Sequence, residues 1–101
     1  MNTKRTPLFL MANLGSEVKR ALQFKEARDT ARCHSSVSRA ESIIKQLLDM
    51  TATRSRKDEF VMLREVIVGI DSETARRAVS SGPLMEYFMP FVLRYARQNL
   101  A

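Results

Sequence analysis

Apolar residues return at three- and four-residue intervals along four separate stretches of this chain, and no two stretches offer the matching alternation that would let a pair of strands share a sheet. Such spacing places the apolar side chains of each stretch on one face of a helix. In the first stretch Met11, Leu14, Val18, Ala21 and Leu22 share a face, and a second stripe of Phe9, Phe24 and Ala27 lies roughly opposite. A helix that is apolar on two sides meets two neighbours. Its start is marked by Thr6 as N-cap and Pro7 at the first helical position, where the missing N–H has no intrahelical partner to lose.

Arg28, Asp29 and Thr30 interrupt the pattern, and Cys33, Val37, Ala40, Ile44 and Leu47 then form the stripe of a second helix, backed by Ile43 and Leu48. On its outer side Glu41 and Lys45 have the spacing of an i,i+4 ion pair. The polar, basic run 51–57 is a connection, and Ser55 with Asp58 three residues on has the spacing of a capping box. A third helix over about 57–70 carries Phe60, Leu63, Val66, Ile67 and Ile70 as its core stripe, with Val61, Met62 and Val68 on its other faces. Taken alone, residues 65–71 have the β-branched composition of a strand, but a solitary strand finds no partner here, so a helix is expected.

Residues 71–82 read as a Ser72-capped turn or short helix. The last helix, from Pro83 to about Asn99, stacks Leu84, Tyr87, Phe88, Phe91, Val92 and Tyr95. Pro90 sits inside it, where it removes one backbone hydrogen bond and bends the helix. The expected fold is therefore all-α: an antiparallel four-helix bundle with its last helix kinked at Pro90. It is expected to occupy residues 1–101 as a single helical domain, with 1–5 as a flexible basic tail.

Composition narrows the functional classes. The 17 Lys and Arg against 11 Asp and Glu give a net charge of +6 and favour acidic partners, nucleic acid among them. Twelve of these cations are arginines, whose planar donor fork suits phosphate and carboxylate. A domain of about 100 residues buries only roughly two-thirds of its unfolded surface, so self-association would add useful burial. The single cysteine, Cys33, forms no internal disulfide and agrees with a reducing compartment. Lys4 and Arg5 ahead of the apolar run 8–12 have the look of a signal-peptide start, yet the run is short and Glu17 and Lys19 follow at once. No segment reaches the roughly 20 apolar residues of a membrane span, and a cytoplasmic location is expected.

Candidate sites are few. One histidine and one adjacent cysteine supply no converging ligand set, and no Glu-x-x-His pair occurs, so no metal site and no cofactor is expected. Cys33 falls on the buried stripe as a small core hydrophobe. The basic residues gather as Lys25, Arg28 and Arg32, as Arg54, Arg56 and Lys57, and as Arg76 and Arg77, with further cations at 19–20 and 94–97. Most lie at helix ends or in connections, where long cations can reach a phosphate backbone, although a solvated face needs no such purpose. On the last helix Met85, Met89 and Val92 are apolar beyond what one core uses, which marks them as a self-association or partner surface.

Residues 28–34, Arg-Asp-Thr-Ala-Arg-Cys-His, resemble the signature of HEPN-type ribonucleases, small helical bundles with such an Arg and His at a helix start. The motif lies early in this chain, where that family carries it late. The resemblance implies that Arg28 neutralises phosphate charge and His34 moves a proton across a dimer. Helical geometry also puts His34 on the flank of the Cys33–Val37 stripe, the place of an ordinary boundary histidine.

Three further segments, 12–18, 63–66 and 87–91, are similar to recurring segments of small uncharacterised microbial four-helix proteins. That resemblance brings no function and implies only that Gly15 serves a close helix contact and Pro90 a kink.

These features lead first to a non-enzymatic helical interaction or accessory module, oligomeric, with a basic surface for RNA, DNA or a ribonucleoprotein. The alternatives are a metal-independent ribonuclease using Arg28 and His34, and a protein-only adaptor or antitoxin-like partner.

Overall fold

The computed structural model describes residues 6–71 and 81–100. Four helices occupy almost all of this: α1 (Pro7–Glu26), α2 (Thr30–Asp49), α3 (Lys57–Val68) and α4 (Ser81–Leu100), with short 3-10 turns at Thr51–Arg56 and Gly69–Asp71. The chain is an all-α four-helix bundle, as the spacing predicts.

Local chemistry sets the helix ends. The Thr6 hydroxyl accepts the Phe9 N–H at 3.1 Å ahead of Pro7, and the Asp29 carboxylate accepts the Arg32 N–H at 3.2 Å to cap α2; each satisfies a donor that the first helical turn leaves without a partner. The α1–α2 turn is tighter than the sequence suggests. Asp29 donates its N–H to the Phe24 carbonyl at 2.8 Å and Arg28 donates to Lys25 at 3.1 Å, the two bonds of a Schellman motif. That motif puts its pivot in the left-handed region, and Arg28 sits there at φ 60, in the place glycine usually holds. The Ser55–Asp58 capping box does not form: Arg56 is the N-cap of α3, without a side-chain cap.

The hand-to-hand pairs fix the topology. Glu17 meets Arg39 across α1 and α2, and Glu41 meets Arg64 across α2 and α3; with Asp71 returning to His34 near the start of α2, α1, α2 and α3 run antiparallel in turn. α1 packs along α2 and α4, and α3 packs along α2. The core between them consists of Leu10, Met11, Leu14, Val18 and Ala21 from α1, Cys33, Val37, Ala40, Ile44 and Leu47 from α2, and Phe60, Leu63, Ile67, Ile70 and Phe88 from the remainder. Burying each of the larger side chains contributes roughly 1.5–3 kcal/mol.

The strand-like segment of α3 is helical through Val68 and closes with a 3-10 turn over Gly69–Asp71. Val66 departs from the expected core stripe and is 42% exposed. Phe60, Leu63, Ile67 and Ile70 define the inward arc, and Val66 lies about 100° from Ile67 around the helix, on the solvent side. Glu41 also departs from its expected partner: it pairs with Arg64 of α3 at 3.4 Å instead of with Lys45. α4 is continuous through Pro90, whose missing N–H leaves the Glu86 carbonyl without its intrahelical donor. Gly15 is buried on α1. The expected Ser72-capped turn and the tail 1–5 lie outside the described residues.

Candidate functional site

Three surfaces carry the residues that chemistry would use. The first is the α1–α2 end. The Schellman turn and the Asp29 cap together bring Lys25, Arg28 and Arg32 into water at one end of the bundle. Arg32 pairs loosely with Asp29 at 3.6 Å and lies over the Phe24 ring, 5.9 Å from its centroid. Among the described residues no carboxylate pairs with Lys25 or Arg28. His34, on the second turn of α2, sets Nδ1 2.7 Å from the Asp71 carboxylate, where the 3-10 turn after α3 ends. A carboxylate only accepts, so Nδ1 carries the proton, and the rest of this 72%-exposed ring faces water. His34 is thus a surface residue tied to Asp71. No hydrogen bond or ion pair joins it to Arg28.

Just beneath, Cys33 is buried, and its pKa is raised by burial first and by the Asp71 charge second, against a smaller opposing pull from Lys25. A thiol held in its neutral form is a core group, as its place on the α2 stripe predicts.

The second surface lies at the opposite end, where Arg56 precedes α3. Its guanidinium donates from Nε at 3.1 Å and from Nη2 at 2.6 Å to the two Glu59 oxygens, and from Nη2 to the Tyr87 hydroxyl of α4 at 3.2 Å. Tyr87 in turn donates its O–H to Glu59. The guanidinium plane lies 5.1 Å from the Phe60 ring centre and 5.4 Å from that of Phe91, a cation held over two aromatic faces. The Tyr87 ring meets Phe88 edge-on at 5.0 Å. These contacts explain the local titration. The bidentate bond from Arg56, with help from Tyr87, holds the Glu59 carboxyl below its usual range. Burial, then the bond to Glu59, pushes Tyr87 up to about 12. The bond to Glu59 likewise raises the Arg56 pKa.

Arg56 is therefore committed within the fold, while its neighbours Arg54 and Lys57 are exposed. The 20 residues of α2 separate this end from the Lys25–Arg28–Arg32 end, a distance of about 30 Å at 1.5 Å per residue. The two basic groups form two patches, one at each end. Arg76 and Arg77 lie outside the described residues.

The third surface is apolar. On the outward side of α3, Val61, Met62, Val66 and Val68 are 40%, 68%, 42% and 38% exposed. The same face bears the exposed carboxylates Asp58 and Glu65. On α4, Met89 and Leu93 are exposed, whereas Met85, expected with them at the surface, is half-buried against the core. The side chain of Val92 lies outside the described residues. Sequence reasoning missed Leu93; its i+4 spacing from Met89, away from Phe88, was the available signal.

Elsewhere polar groups are largely paired with one another. Glu17 Oε2 accepts from Arg39 and forms an ion pair with Arg20, while its buried Oε1 has no hydrogen-bond partner. Arg39 reaches on to the buried Ser36 hydroxyl at 3.2 Å. Among the described residues no three His, Cys, Asp or Glu side chains converge as metal ligands, and no helix is long and apolar enough to cross a membrane. Compared with protein families, curated proteins and solved structures, the chain matches none.

Proposed function

We propose that this protein is a non-enzymatic helical interaction module whose working surface is the outward face of α3. The observation that carries the reading is the exposure of Val61, Met62, Val66 and Val68 on one short helix whose opposite face already fills the core. These four fall on two flanks of the outward side, Val61 with Val68 and Met62 with Val66, separated by Asp58 and Glu65, and exposed apolar side chains in such number on one short helix mark a contact surface. Asp58 and Glu65 at the middle of this side are exposed, and they select a partner helix whose contact face combines basic and apolar side chains. The test uses two synthetic amphipathic helical peptides, one Leu/Lys and one Leu/Glu, titrated by fluorescence anisotropy. The Leu/Lys peptide binds, the Leu/Glu peptide does not, and Met62→Glu weakens binding at least tenfold with an unchanged circular-dichroism melt. Equal binding of both peptides, or binding untouched by Met62→Glu, sinks this reading.

A second reading rests on a different observation, the exposed Lys25 and Arg28 at the end of the bundle that also holds the His34–Asp71 pair. A histidine oriented by a carboxylate is one half of a proton-transfer set, and the free cations suit a phosphate backbone. In this reading the α1–α2 end binds RNA with a steep salt dependence, and cleavage that persists in EDTA and vanishes in His34→Ala makes the protein a metal-independent ribonuclease. Intact RNA with a flat salt response leaves these residues as a solvated surface.

A further inference from the structure

α2 and α3 face each other along a seam whose register is fixed by two charged rungs, His34 with Asp71 at one end and Glu41 with Arg64 in the middle. On α2, Ser38, Glu41, Lys45 and Leu48 fall within about 80° of one another around the helix, and on α3, Lys57, Val61 and Arg64 fall within about 60°. The same antiparallel register brings Leu48 level with Lys57. Ser38 and Ser42 are short and leave the α2 wall low, and there a cavity of about 510 Å³ opens to solvent, lined by Ser38, Glu41, Ser42, Lys45, Leu48 and Arg64. A second cavity of about 250 Å³ adjoins it at Leu48 and is lined further by Asp49, Met50, Arg54 and Lys57.

Donors outnumber acceptors in both. Among the described residues no carboxylate pairs with Lys45, Arg54 or Lys57, and the Ser38 and Ser42 hydroxyls have no partner. Arg64 spends one Nη2 donor on Glu41 at 3.4 Å and keeps the rest of its fork. Four cations against two carboxylates, Glu41 and Asp49, give the joined cavities a net charge of +2. An ammonium, a guanidinium fork and two hydroxyls opening into one cavity offer more donors than a carboxylate accepts, and they suit the three terminal oxygens of a phosphate monoester. Helical side chains lean toward the N-terminus of their own helix. Lys45 therefore leans along the seam toward Arg64, while Lys57 leans away from it toward Arg54. Arg64 and Lys57 are seven residues apart on one side of α3, about 10 Å at 1.5 Å per residue. Leu48, half-buried and shared by the two cavities, is the apolar surface between the two cationic groups. We infer that the α2–α3 seam binds a small molecule carrying two phosphate groups about 10 Å apart on an uncharged spacer. One phosphate sits at Lys45 and Arg64 with the two serine hydroxyls, the other at Arg54 and Lys57, and the spacer crosses Leu48. Asp58 and Glu65 line neither cavity, so this site stands apart from helix docking on the outward side of α3.

Proton–nitrogen correlation spectra test the inference during titration with three probes: hexane-1,6-diyl bisphosphate, inorganic phosphate and a uridine tetranucleotide. The samples are wild type, Lys45→Gln, Lys57→Gln and, on α1 outside the seam, Lys19→Gln; all three positions are exposed, so the core is left intact. The bisphosphate shifts the amides of Ser42, Lys45 and Lys57 and binds at least about tenfold more tightly than inorganic phosphate, because the second phosphate is held at high effective concentration once the first is bound. Lys45→Gln and Lys57→Gln each remove most of that advantage, Lys19→Gln leaves it unchanged, and added salt weakens binding. Equal affinity for phosphate and bisphosphate overturns the inference, since the two cationic groups then do not act together. An equal loss in Lys19→Gln overturns it in favour of a general charge field. A tetranucleotide that moves the same amides and binds more tightly than the bisphosphate overturns it in favour of a track for a nucleic-acid backbone.

Discussion

The two ends of the bundle both gather arginine and use it differently. At the Arg56 end the guanidinium lies over Phe60 and Phe91, and Glu59 and Tyr87 receive its donors. At the Arg28 end the arginine side chains extend into water, and among the described residues the one ion pair an arginine makes there is the loose Arg32–Asp29 contact. The difference comes from what lies beneath. Aromatic rings and a second helix partly remove Arg56 from water, and there its bonds count; Lys25 and Arg28 are exposed, so their charge acts at a distance and is screened by salt. A cluster of cations in a sequence is thus two kinds of object, a clamp or a field, and the apolar partner decides which.

Removing the clamp is the sharpest way to break the comparison. Arg56→Ala leaves Glu59 and Tyr87 without their shared donor and strips the cation from two rings. Because the Arg56 and Glu59 side chains are 37% and 41% exposed, water restores part of the loss, and the expected cost is about 1.5 kcal/mol. In a domain of this size that is a fall in Tm of roughly 6–12 °C. Arg56→Lys keeps the charge but not the bidentate fork, and falls between. Lys57→Ala, next door and exposed, changes stability by less than about 0.5 kcal/mol. Urea melts of the three variants check the ranking, and equal costs for Arg56→Ala and Lys57→Ala remove the distinction between clamp and field.

Tyr87→Phe sharpens the same region with a smaller effect, about 0.5–1 kcal/mol at neutral pH, since only a hydroxyl and its bonds are lost. Its signature is in the pH dependence. The fold raises Tyr87 from an ordinary value near 10.0 to about 12, so the folded chain holds this proton more tightly than the unfolded one. The corresponding stability is fully present below about pH 10 and is lost as pH rises from 10 towards 12. Glu59 has the opposite sense: its folded pKa is lowered, so its contribution is present above the ordinary carboxylate range and lost as pH falls. Denaturant melts across pH 8–11.5 therefore show wild type converging on Tyr87→Phe on the alkaline side. A constant gap between the two proteins contradicts the clamp.

Much of the fold is legible in the sequence because it depends on spacing. Cys33, Val37, Ala40, Ile44 and Leu47 recur on one face and all five are buried, and Thr6–Pro7 opens α1 as its chemistry requires. The strand-like run 65–70 is helical for the reason available beforehand, that it has no strand to pair with. What spacing does not carry is which side of a short helix meets the core. Val66 fits an inward stripe as well as Phe60 does until α2 and the chain direction fix the arc. Site chemistry was less legible still. His34 is visible as the only histidine, but its partner Asp71 is 37 residues away, joined only by the antiparallel return of α3. Arg56 and Lys57 look alike in the sequence, and Tyr87, which separates them, stands on another helix.

The smallest expected effect is at the other end, and its sign is opposite. Arg28 holds φ 60 as the pivot of the Schellman turn. A residue with a Cβ in the left-handed region carries a cost of roughly 1–2 kcal/mol, which glycine avoids while giving up more backbone entropy on folding. Arg28→Gly is therefore expected to stabilise the fold by about 0.5 kcal/mol, because no carboxylate among the described residues pairs with this guanidinium and no packing is lost. Arg28→Ala keeps the Cβ and stays near wild type. The pair of variants separates backbone from charge: both remove the same cation, so any RNA affinity at this end falls equally in the two, while the urea midpoint rises only for glycine. A midpoint that falls for both variants shows the Arg28 side chain to be a stabilising contact, and the two ends of the bundle then use arginine alike.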